Sequence, residues 1–408
     1  MSWTTYKLSE LCDVFTDGDW IESKDQSPEG IRLLQTGNIG IGVFKERIDK
    51  ARYVSEETFK RLNCEEVFEG DLLISRLPEP VGRGCLIPNI TGRAITAVDC
   101  TILRVKSDLL DKRYLEYFIQ SQPYQSEIQS KVTGTTRQRI SRKNLGEIPI
   151  VFPPLPVQKQ IVEKLDVAFA DIDKAISATE RSIENAEAFR QKTIDELMTF
   201  KHTSNTTITK EIDMLPGYAF KSAQYVDDED GITLLRGDNL KPNAIDFTEA
   251  KKYPKESTKE YGKFHLQEND IVIGMDRPWI SSGLRTAMIK KADLPCLLVQ
   301  RVMRMRCPTT INPKFFYLHL QASSFLSHIL GKETGLGVPH ISGKTIGSFE
   351  FFIPELKKQN EIVYIFSSVD SNIHKLKKSY ISKLSNYEAL KSSILNQAFS
   401  GELTKDAA

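Results

Sequence analysis

The feature that most constrains the fold of this chain is an internal repeat. An offset of 201 positions places Ile31–Ile39 on Ile232–Leu240 and Gln158 on Gln359. Repeating units of solenoid proteins are about 20–50 residues long, so a period of this length indicates a duplicated domain instead. Two copies of one domain predict a target that has two parts.

Composition restricts the class of protein. The 408 residues leave room for two to three domains. The six cysteines have irregular spacings and no C-x-x-C pair, which favours reduced thiols in a cytoplasmic protein over disulfides or a zinc site. No segment approaches the about 18 apolar residues of a membrane span, and a signal-peptide pattern is absent. The net charge is +1, so any nucleic-acid surface has to be local.

Each copy begins with a strand-rich half. In residues 1–152, short apolar segments such as Leu72–Ile74 and Ile102–Val105 alternate with Gly, Pro, Asn and Asp, which is typical of strands and turns. One helix is predicted to interrupt them at Lys112–Gln120. Its counterpart in the second copy is Pro313–Gln321.

Each copy ends in a long predicted helix. Closely spaced prolines up to Pro156 permit a helix to start there, and no Pro or Gly follows from Val157 to about Phe200. Apolar residues then recur in steps of three and four, which predicts heptad seams. The first seam contains Val162, Leu165, Phe169, Ile172, Ile176, Thr179, Ile183 and Ala186. The second, after Pro354, contains Phe366, Val369, Ile373, Leu376, Tyr380, Tyr387, Leu390 and Ile394. Because both helices share one chain, intramolecular pairing is favoured over dimerisation.

Taken together, these features resemble the specificity subunit of type I restriction–modification systems. Thr133–Ser141, followed by Gln158–Val162, is similar to the family's passage from a recognition domain into a long helix. Thr334–Ser342 is a degenerate second copy of the first of these segments, and Ile394–Leu403 resembles the family's carboxy-terminal signature. The resemblance covers nearly the whole chain, but Thr193–Phe200, at the end of the first helix, lacks the Ala-Phe-Ser-Gly form of that signature.

The resemblance implies an α+β chain with a pseudo-twofold internal repeat. Two mixed α/β target-recognition domains are expected at 1–152 and 203–353, joined by two long helices at 153–202 and 354–408 that form an antiparallel coiled coil. Each domain would read one half of a split site in double-stranded DNA. The helices would dock two copies of a methyltransferase subunit and set the spacer, and restriction subunits would join the complex. No cofactor, metal or catalytic centre is expected in this chain.

The first copy contains a short basic segment. Five cations and no acid occur within residues 128–146. Arg contacts guanine and Gln contacts adenine through paired hydrogen bonds, whereas Lys and Ser or Thr more often contact phosphates. On composition alone a solvated surface loop is the simpler interpretation, but the family resemblance favours DNA contact. The candidates for DNA contact in this copy are Gln35, Arg76, Arg83, Lys131, Thr135, Thr136, Arg137, Gln138 and Arg139.

The second copy distributes its basic residues differently. Arg277–Arg285 is a predicted loop with two arginines and one tryptophan, and Arg236 occupies the position of Gln35. The alternative is that the tryptophan is a partly buried anchor and that Arg301, Arg304 and Arg306 on a predicted strand pair with local acids. The candidates for DNA contact in this copy are Arg236, Arg277, Trp279, Arg285 and His340.

Several enzyme motifs are incomplete. Gly337 and Gly343–Thr345 resemble a phosphate-binding loop, but five residues separate the glycines where that loop has four. Asn312–Phe315 lacks the Asn-Pro-Pro-aromatic form of adenine methyltransferases, and the acids of Asp246–Lys251 are too crowded for a nuclease site. The principal hypothesis is therefore a non-enzymatic DNA-specificity subunit. Two alternatives stay open: a coiled-coil scaffold with two protein-binding domains, and a nuclease or methyltransferase with an unrecognised site.

Overall fold

A computed structural model describes residues 3–200, 205–227, 231–334 and 338–403. Residues 335–337, which include Gly337 and part of the second predicted recognition loop, lie outside the described residues. The chain forms two compact units. The first consists of Met1–Glu180 and Ile381–Ala408, and the second of Arg181–Tyr380.

The first copy consists of short strands and helices followed by one long helix. The strands are β1 (Thr4–Lys7), β2 (Cys12–Asp17), β3 (Gln26–Ser27), β4 (Ile31–Leu34), β5 (Arg52–Val54), β6 (Glu66–Val67), β7 (Leu72–Ser75), β8 (Gly84–Leu86), β9 (Ala94–Thr96), β10 (Cys100–Val105) and β11 (Pro149–Phe152). The helices are α1 (Glu56–Leu62), α2 (Lys112–Phe118), α3 (Gln122–Lys131), α4 (Arg142–Gly146) and α5 (Leu155–Leu197).

The prediction of a single helix within residues 1–152 was wrong, because α1, α3 and α4 accompany α2. These helices are too short or too polar to show apolar periodicity. Their start signals are visible instead, since the side chains of Ser55 and Ser141 accept hydrogen bonds from the backbone N–H of Thr58 and Asn144. Capping residues alone did not identify these helices in the sequence.

Two sheets organise this domain. The first has the order β2-β10-β7-β8 and is antiparallel, and the second has the order β3-β5-β4-β9-β6, with β4 and β9 parallel. Strand β1 pairs with β11, which joins the start of the domain to its end. Leu72, Ile74 and Leu103 of the first sheet share a buried core with Tyr114 of α2 and Ile128 of α3.

The second copy repeats this order of elements. Its strands are β12 (Thr206–Thr207), β13 (Asp213–Pro216), β14 (Ile232–Leu235), β15 (Leu240–Lys241), β16 (Ala244–Ile245), β17 (Lys252–Tyr253), β18 (Ile271–Gly274), β19 (Trp279–Ile280), β20 (Gly283–Leu284), β21 (Thr286–Met288), β22 (Cys296–Leu298), β23 (Val302–Arg306) and β24 (Glu350–Phe351). Its helices are α6 (Ile208–Glu211), α7 (Pro313–Gln321), α8 (Ser323–Ile329), α9 (Gly343–Gly347) and α10 (Leu356–Phe399). The antiparallel sheet β13-β23-β18-β21 corresponds to the first sheet of the first copy, and β14 pairs with β22 in parallel as β4 does with β9.

A buried glutamine joins each domain to its long helix. Gln158 accepts a hydrogen bond from the Asp111 backbone N–H (2.8 Å) and donates to the Leu109 and Pro153 carbonyls (3.0 and 2.8 Å). Gln359 makes the same three bonds at the repeat offset, with Asn312, Thr310 and Pro354. Both side chains are fully buried. Each glutamine satisfies backbone groups at the start of a short helix, so it fixes the angle at which the long helix leaves the domain.

Within the first unit, α5 and α10 run antiparallel. Lys164 Nζ donates to the Leu403 carbonyl (2.8 Å), and farther along α5 the Asp173 carboxylate binds Lys391. Later residues of α5 therefore contact earlier residues of α10, so the two helices are antiparallel. The end of α10 also enters the domain core, where Phe399 meets the edges of Tyr114 and Phe118 at ring-centroid distances of 5.2 Å.

Within the second unit the same helices again run antiparallel. Glu187 binds Lys377, and Arg190 Nε donates to Asp370 Oδ1 (2.6 Å). Here the end of α5 enters the domain core, where Ile194 packs with Phe315. Each domain therefore receives the end of the long helix that belongs to the other repeat.

The predicted seam of α5 is confirmed, because Leu165, Ile172, Thr179 and Ala186 are buried. The α10 seam was predicted less accurately. Its Phe366 and Ile373 are buried, but Leu376 and Leu390 are 43% and 45% exposed. Near this end of α10, the residues that are buried in the domain core are instead Leu395, Ala398 and Phe399. The expected α+β chain with two long helices is confirmed.

Candidate nucleic-acid interface

The basic segment of the first copy forms a tight hairpin. Thr133 and Arg139 exchange two backbone hydrogen bonds of 2.9 Å, and Ile140 N donates to the Arg76 carbonyl (3.2 Å) beside it. Gly134 has a φ of +95°, and a Cβ there would lie 2.5 Å from the Arg137 carbonyl oxygen. Only glycine fits this position without strain, so the hairpin has a defined shape.

This hairpin presents four candidate side chains to solvent: Thr135, Thr136, Arg137 and Gln138. Among the described residues, those of Arg137 and Gln138 have no polar partner. The flanking candidates are partly engaged, since Lys131 Nζ lies 2.8 Å from Glu127 and Arg139 lies 3.6 Å from Asp99. The tip of the hairpin therefore offers unengaged donors and acceptors, as base or phosphate recognition requires.

In the second copy, equivalent backbone hydrogen bonds close the corresponding segment. Thr334 and His340 exchange two backbone hydrogen bonds of 2.8 and 2.9 Å, at the repeat offset from Thr133 and Arg139. His340 Nδ1 lies 2.6 Å from Asp276 Oδ1, and Arg301 binds the same carboxylate. Burial raises the pKa of Asp276, but the hydrogen bonds from His340 and Arg301 outweigh burial and hold this pKa below its ordinary value. The Asp276 carboxylate thus holds the His340 side chain in place at the base of this segment.

Arg83 connects two loops of the first domain. Its guanidinium donates to the carbonyls of Ile39 (2.8 Å), Thr36 (2.9 Å) and Leu77 (2.7 Å), and it is 8% exposed. Burial lowers the pKa of Arg83. Because its donors are occupied by protein carbonyls, Arg83 joins the loop after β4 to the loop after β7.

Arg285 makes the corresponding connection in the second domain. Its Nε donates to the Leu240 carbonyl (3.0 Å), which lies at the repeat offset from Ile39, and its Nη1 donates to the Asp276 carbonyl (3.1 Å). Burial also lowers the pKa of Arg285. Sequence reasoning selected both arginines as DNA contacts, and in the structure both guanidinium groups donate to loop carbonyls.

Arg76 is also held by the protein. It is 3% exposed, its Nη1 donates to the Ile140 carbonyl (3.2 Å), and its Nε lies 3.1 Å from the Asp17 carboxylate. Since Ile140 follows the hairpin directly, Arg76 supports the base of that hairpin. A DNA contact by this guanidinium would require the release of these bonds.

Gln35 and Arg236 occupy equivalent positions at the start of one-turn 3-10 helices, Thr36–Asn38 and Gly237–Asn239. A buried asparagine orders each turn. Asn38 Oδ1 accepts from Gln35 N (3.0 Å) while its Nδ2 donates to Lys45 O (3.0 Å). Asn239 makes the same two bonds at the repeat offset. One framework therefore presents a different side chain in each copy.

The structure brings three candidates of the second domain together. Arg236, Arg277 and Arg285 line one cleft of 350 Å³, which also contains Arg301 and the acids Asp238 and Asp276. Arg277 is exposed and has a φ of +42°, a conformation in which few residues other than glycine are found. Arg236 Nη2 lies 2.9 Å from Asp238. This cleft is suited to an anion or a guanine edge that displaces the exposed Asp238 carboxylate from Arg236.

Trp279 lies apart from that cleft. It is 43% exposed and lines another cleft with Pro242 and Arg190. The alternative interpretation of the strand arginines is confirmed, because Arg304 binds Asp213 and the Arg306 Nε lies 2.6 Å from Asp270.

Sequence reasoning missed a basic cleft in the first domain. Arg47, Lys50 and Arg52 line a cleft of 480 Å³ together with Gln35 and Asn38. The sequence did contain a signal, since these cations lie within six residues. Glu46 precedes these cations and Asp49 lies among them, so the segment shows little net positive charge in the sequence.

Residues 3–200, 205–227, 231–334 and 338–403 contain no group of three or more His, Cys, Asp or Glu side chains that could hold a metal ion. Asp246 accepts hydrogen bonds from the Thr248 N–H (3.1 Å) and hydroxyl (2.7 Å), which accounts for this acid as a turn residue. Among the same residues, no helix has the length and apolar character to span a membrane.

Comparison with known proteins identifies relatives. The model of the family "Type I restriction modification DNA specificity domain" matches residues 1–183 and 187–384. The chain is 35% identical over 164 residues to the type I restriction enzyme EcoAI specificity subunit of Escherichia coli, a match that covers 40% of this chain but 27% of that relative. It is 25% identical over 319 residues to the MjaVIII specificity subunit of Methanocaldococcus jannaschii, covering 74% and 72% of the two chains.

Solved structures share the fold. A structure from work on complex assembly and conformational transition of the type I R-M system has a TM-score of 0.73 at 15% identity, covering 98% of both chains. The HsdS subunit from Thermoanaerobacter tengcongensis has a TM-score of 0.55 at 16% identity, covering 98% of this chain and 97% of that one.

Proposed function

The chain belongs to the type I restriction modification DNA specificity family, and from this premise we propose that each of its two recognition domains reads one half of a bipartite DNA site. The family model matches twice, once in each repeat. A duplicated reader suits a target with two parts because each copy has its own core and its own loops.

The observation that carries this proposal is a pair of hairpins that are closed by equivalent backbone hydrogen bonds but differ in their side chains. Thr133 and Arg139 close one hairpin, and Thr334 and His340 close the other, at the same offset. The first hairpin exposes Arg137 and Gln138, whose side chains can form paired hydrogen bonds with guanine and adenine. Equivalent closing bonds with different side chains are what two half-sites of different sequence require.

The candidates divide by what their side chains contact within the protein. We assign base or phosphate contact to Gln35, Arg236, Arg277, Trp279, His340 and the hairpin residues Lys131, Thr135, Thr136, Arg137, Gln138 and Arg139. We assign a positioning role to Arg76, Arg83 and Arg285, since protein carbonyls and carboxylates already occupy their guanidinium groups. This division separates residues that read DNA from residues that shape the reading surface.

The long helices supply the surface for protein partners in this proposal. Exposed apolar side chains occur on α5 at Val167 and Phe189 and on α10 at Tyr364 and Ile381, with exposures of 58–77%. Such side chains on a helix favour contact with another protein. Two methyltransferase subunits would dock there, restriction subunits would join them, and the helices would set the spacer. The chain itself would carry specificity and leave the chemistry to these partners.

The test uses the chain with its methyltransferase partner. Binding to a DNA library should be salt-sensitive and should select two short sequences separated by an unread spacer. Methylated adenines mapped in the host genome should lie in the same bipartite sequence. A chain that assembles with the methyltransferase partner but shows no salt-sensitive binding to DNA would be a protein scaffold. Turnover by the purified chain with S-adenosylmethionine or magnesium would indicate an enzyme. Either result would refute the proposal.

A further inference from the structure

The basic cleft of the first domain lies beside a candidate base-reading residue. Arg47 precedes a one-turn 3-10 helix that ends at Lys50, Arg52 begins β5, and Gln35 lines the same cleft. A Cβ at Gly37 would lie 1.9 Å from Arg47 Nη1, so this guanidinium lies directly over the turn that follows Gln35. Glycine at position 37 leaves room for it.

These three cations have no carboxylate partner within the part of the chain that the structure describes. That distinguishes them from other arginines of this domain, because Arg61 binds Asp25 (2.6 Å) and Arg104 binds Asp71 (2.7 Å). Arg32, at the cleft wall, is already neutralised by Glu46. Asp49 is exposed in the same segment and forms no ion pair with them. Three neighbouring unpaired cations repel one another, and an anionic partner relieves that repulsion.

The cleft is connected to the hairpin through protein bonds. Arg83 joins the Thr36 carbonyl, at the cleft edge, to the Leu77 carbonyl (2.9 and 2.7 Å). The adjacent Arg76 carbonyl accepts from Ile140 N (3.2 Å) at the end of the hairpin. Hairpin and cleft therefore belong to neighbouring, mutually fixed loops, and one DNA duplex can contact both.

The second domain lacks this feature. In the second copy, residues 246–250 contain no cation, and Lys251 bonds to Leu234 where Arg52 pairs with Leu33, so Lys251 takes the position of Arg52. Lys251 Nζ lies 3.8 Å from Asp227, and Tyr253 is buried with its hydroxyl donating to Gln224 (2.8 Å). The three unpaired cations are therefore a property of the first copy alone.

We propose that Arg47, Lys50 and Arg52 bind the DNA phosphate backbone beside the first half-site. The inference rests on the proposed function and adds to it a surface distinct from the hairpin. Lysine and arginine contacts to phosphates position a protein on the duplex and carry no base information. The first domain thereby makes a sequence-independent, salt-sensitive contact with DNA at a place where the second domain has no equivalent cluster of unpaired cations among its described residues.

The experiment measures DNA affinity against salt concentration for the chain assembled with its methyltransferase partner. The probe is a duplex with the selected bipartite site and variants of each half-site. The variant Arg47→Gln, Lys50→Gln, Arg52→Gln should reduce the slope of log K against log salt by about 2–3, since each lost phosphate contact removes about 0.9. Preference among half-site bases should stay that of the unmodified chain.

Two further variants make the result specific. Lys24→Gln, Lys60→Gln, Arg61→Gln removes the same charge from the same domain outside the cleft and should leave the slope within about 0.5. Gly37→Ala displaces Arg47 without altering charge and should reduce the slope by about one. If the cleft variant still binds DNA selectively but has the same salt slope as the charge control, the inference is overturned. A changed base preference also overturns it, because the cleft would then read bases. Absence of selective binding by the unmodified complex would refute the proposed function itself.

Discussion

The two copies share a framework and differ in what that framework presents. Asn38 and Asn239 order equivalent turns, and Arg83 and Arg285 hold equivalent loops through the carbonyls of repeat-related residues. The side chains that face solvent from these loops are different. The first copy has unpaired cations, whereas the arginines of the second copy lie among Asp238 and Asp276. Shape is therefore repeated and chemistry is not, which is the division expected of two readers for two unlike half-sites.

The largest effect should follow from exchange of a whole reader. Replacing residues 1–152 by the equivalent domain of a family member should replace the first half-site and leave the second unchanged, because each domain has its own buried core. The measurement is the methylation pattern of the assembled complex on a sequence library. The reciprocal exchange of residues 203–353 is the matched control. If both half-sites change in either chimera, the two domains do not read DNA independently.

The next largest effect concerns the shared junctions. Gln158→Leu should destabilise the first unit by roughly 2–4 kcal/mol, because it removes the partner of the Asp111 N–H, the Leu109 carbonyl and the buried Pro153 carbonyl. Gln359→Leu should have a similar effect on the second unit. Denaturant unfolding, with hydrogen exchange of the Asp111 amide, measures the change. Gln160→Leu, an exposed position on α5, is the control. Gln160→Leu should cost less than about 0.5 kcal/mol of unfolding free energy. If Gln158→Leu costs no more than this control, the junction does not stabilise the unit.

A smaller effect should separate reading from positioning in the first copy. Arg137→Ala or Gln138→Ala should weaken binding to the preferred first half-site by about 1–3 kcal/mol and relax one base position. Both side chains are exposed, so folding and subunit assembly should persist. Binding to half-site variants measures the effect, with Lys112→Ala as an exposed control from the same domain. Loss of assembly with unchanged base preference would contradict the assignment.

The sequence predicted the framework better than the site. The repeat, the seam of α5 and helix α2 could be found because apolar spacing and turn residues are local signals. The roles of Arg76 and Arg83 could not, because their partners come from distant segments. Ile39, for example, lies 44 residues from Arg83. A guanidinium bound by carbonyls and one that faces solvent look the same in a sequence. The cleft of Arg47 was hidden for a related reason, since ion pairing depends on which acids fold against it.

The smallest effect at neutral pH concerns a core position that differs between the copies. His319 lies at the repeat offset from Phe118, is 3% exposed, and packs against Phe315 and Phe351. Burial lowers its pKa from 6.5 to about 4. The folded chain therefore keeps this imidazole neutral while the unfolded chain binds a proton below pH 6.5. Stability from this residue is complete above pH 6.5 and is lost as pH falls towards about 4.

His319→Phe installs the residue of the first copy and should remove this pH dependence. Between pH 7 and pH 4.5 the unmodified second unit should lose on the order of 1–3 kcal/mol more stability than the variant. At pH 7 protonation contributes nothing to the difference between the two, because the histidine is neutral in both states. Thermal or urea unfolding across this range measures the difference, and His374→Gln, an exposed position on α10, controls for histidine removal. If the variant and the unmodified chain lose stability in parallel as the pH falls, another group is responsible. If they diverge only below pH 6.5, a single buried ring accounts for a difference in acid sensitivity between two otherwise equivalent domains.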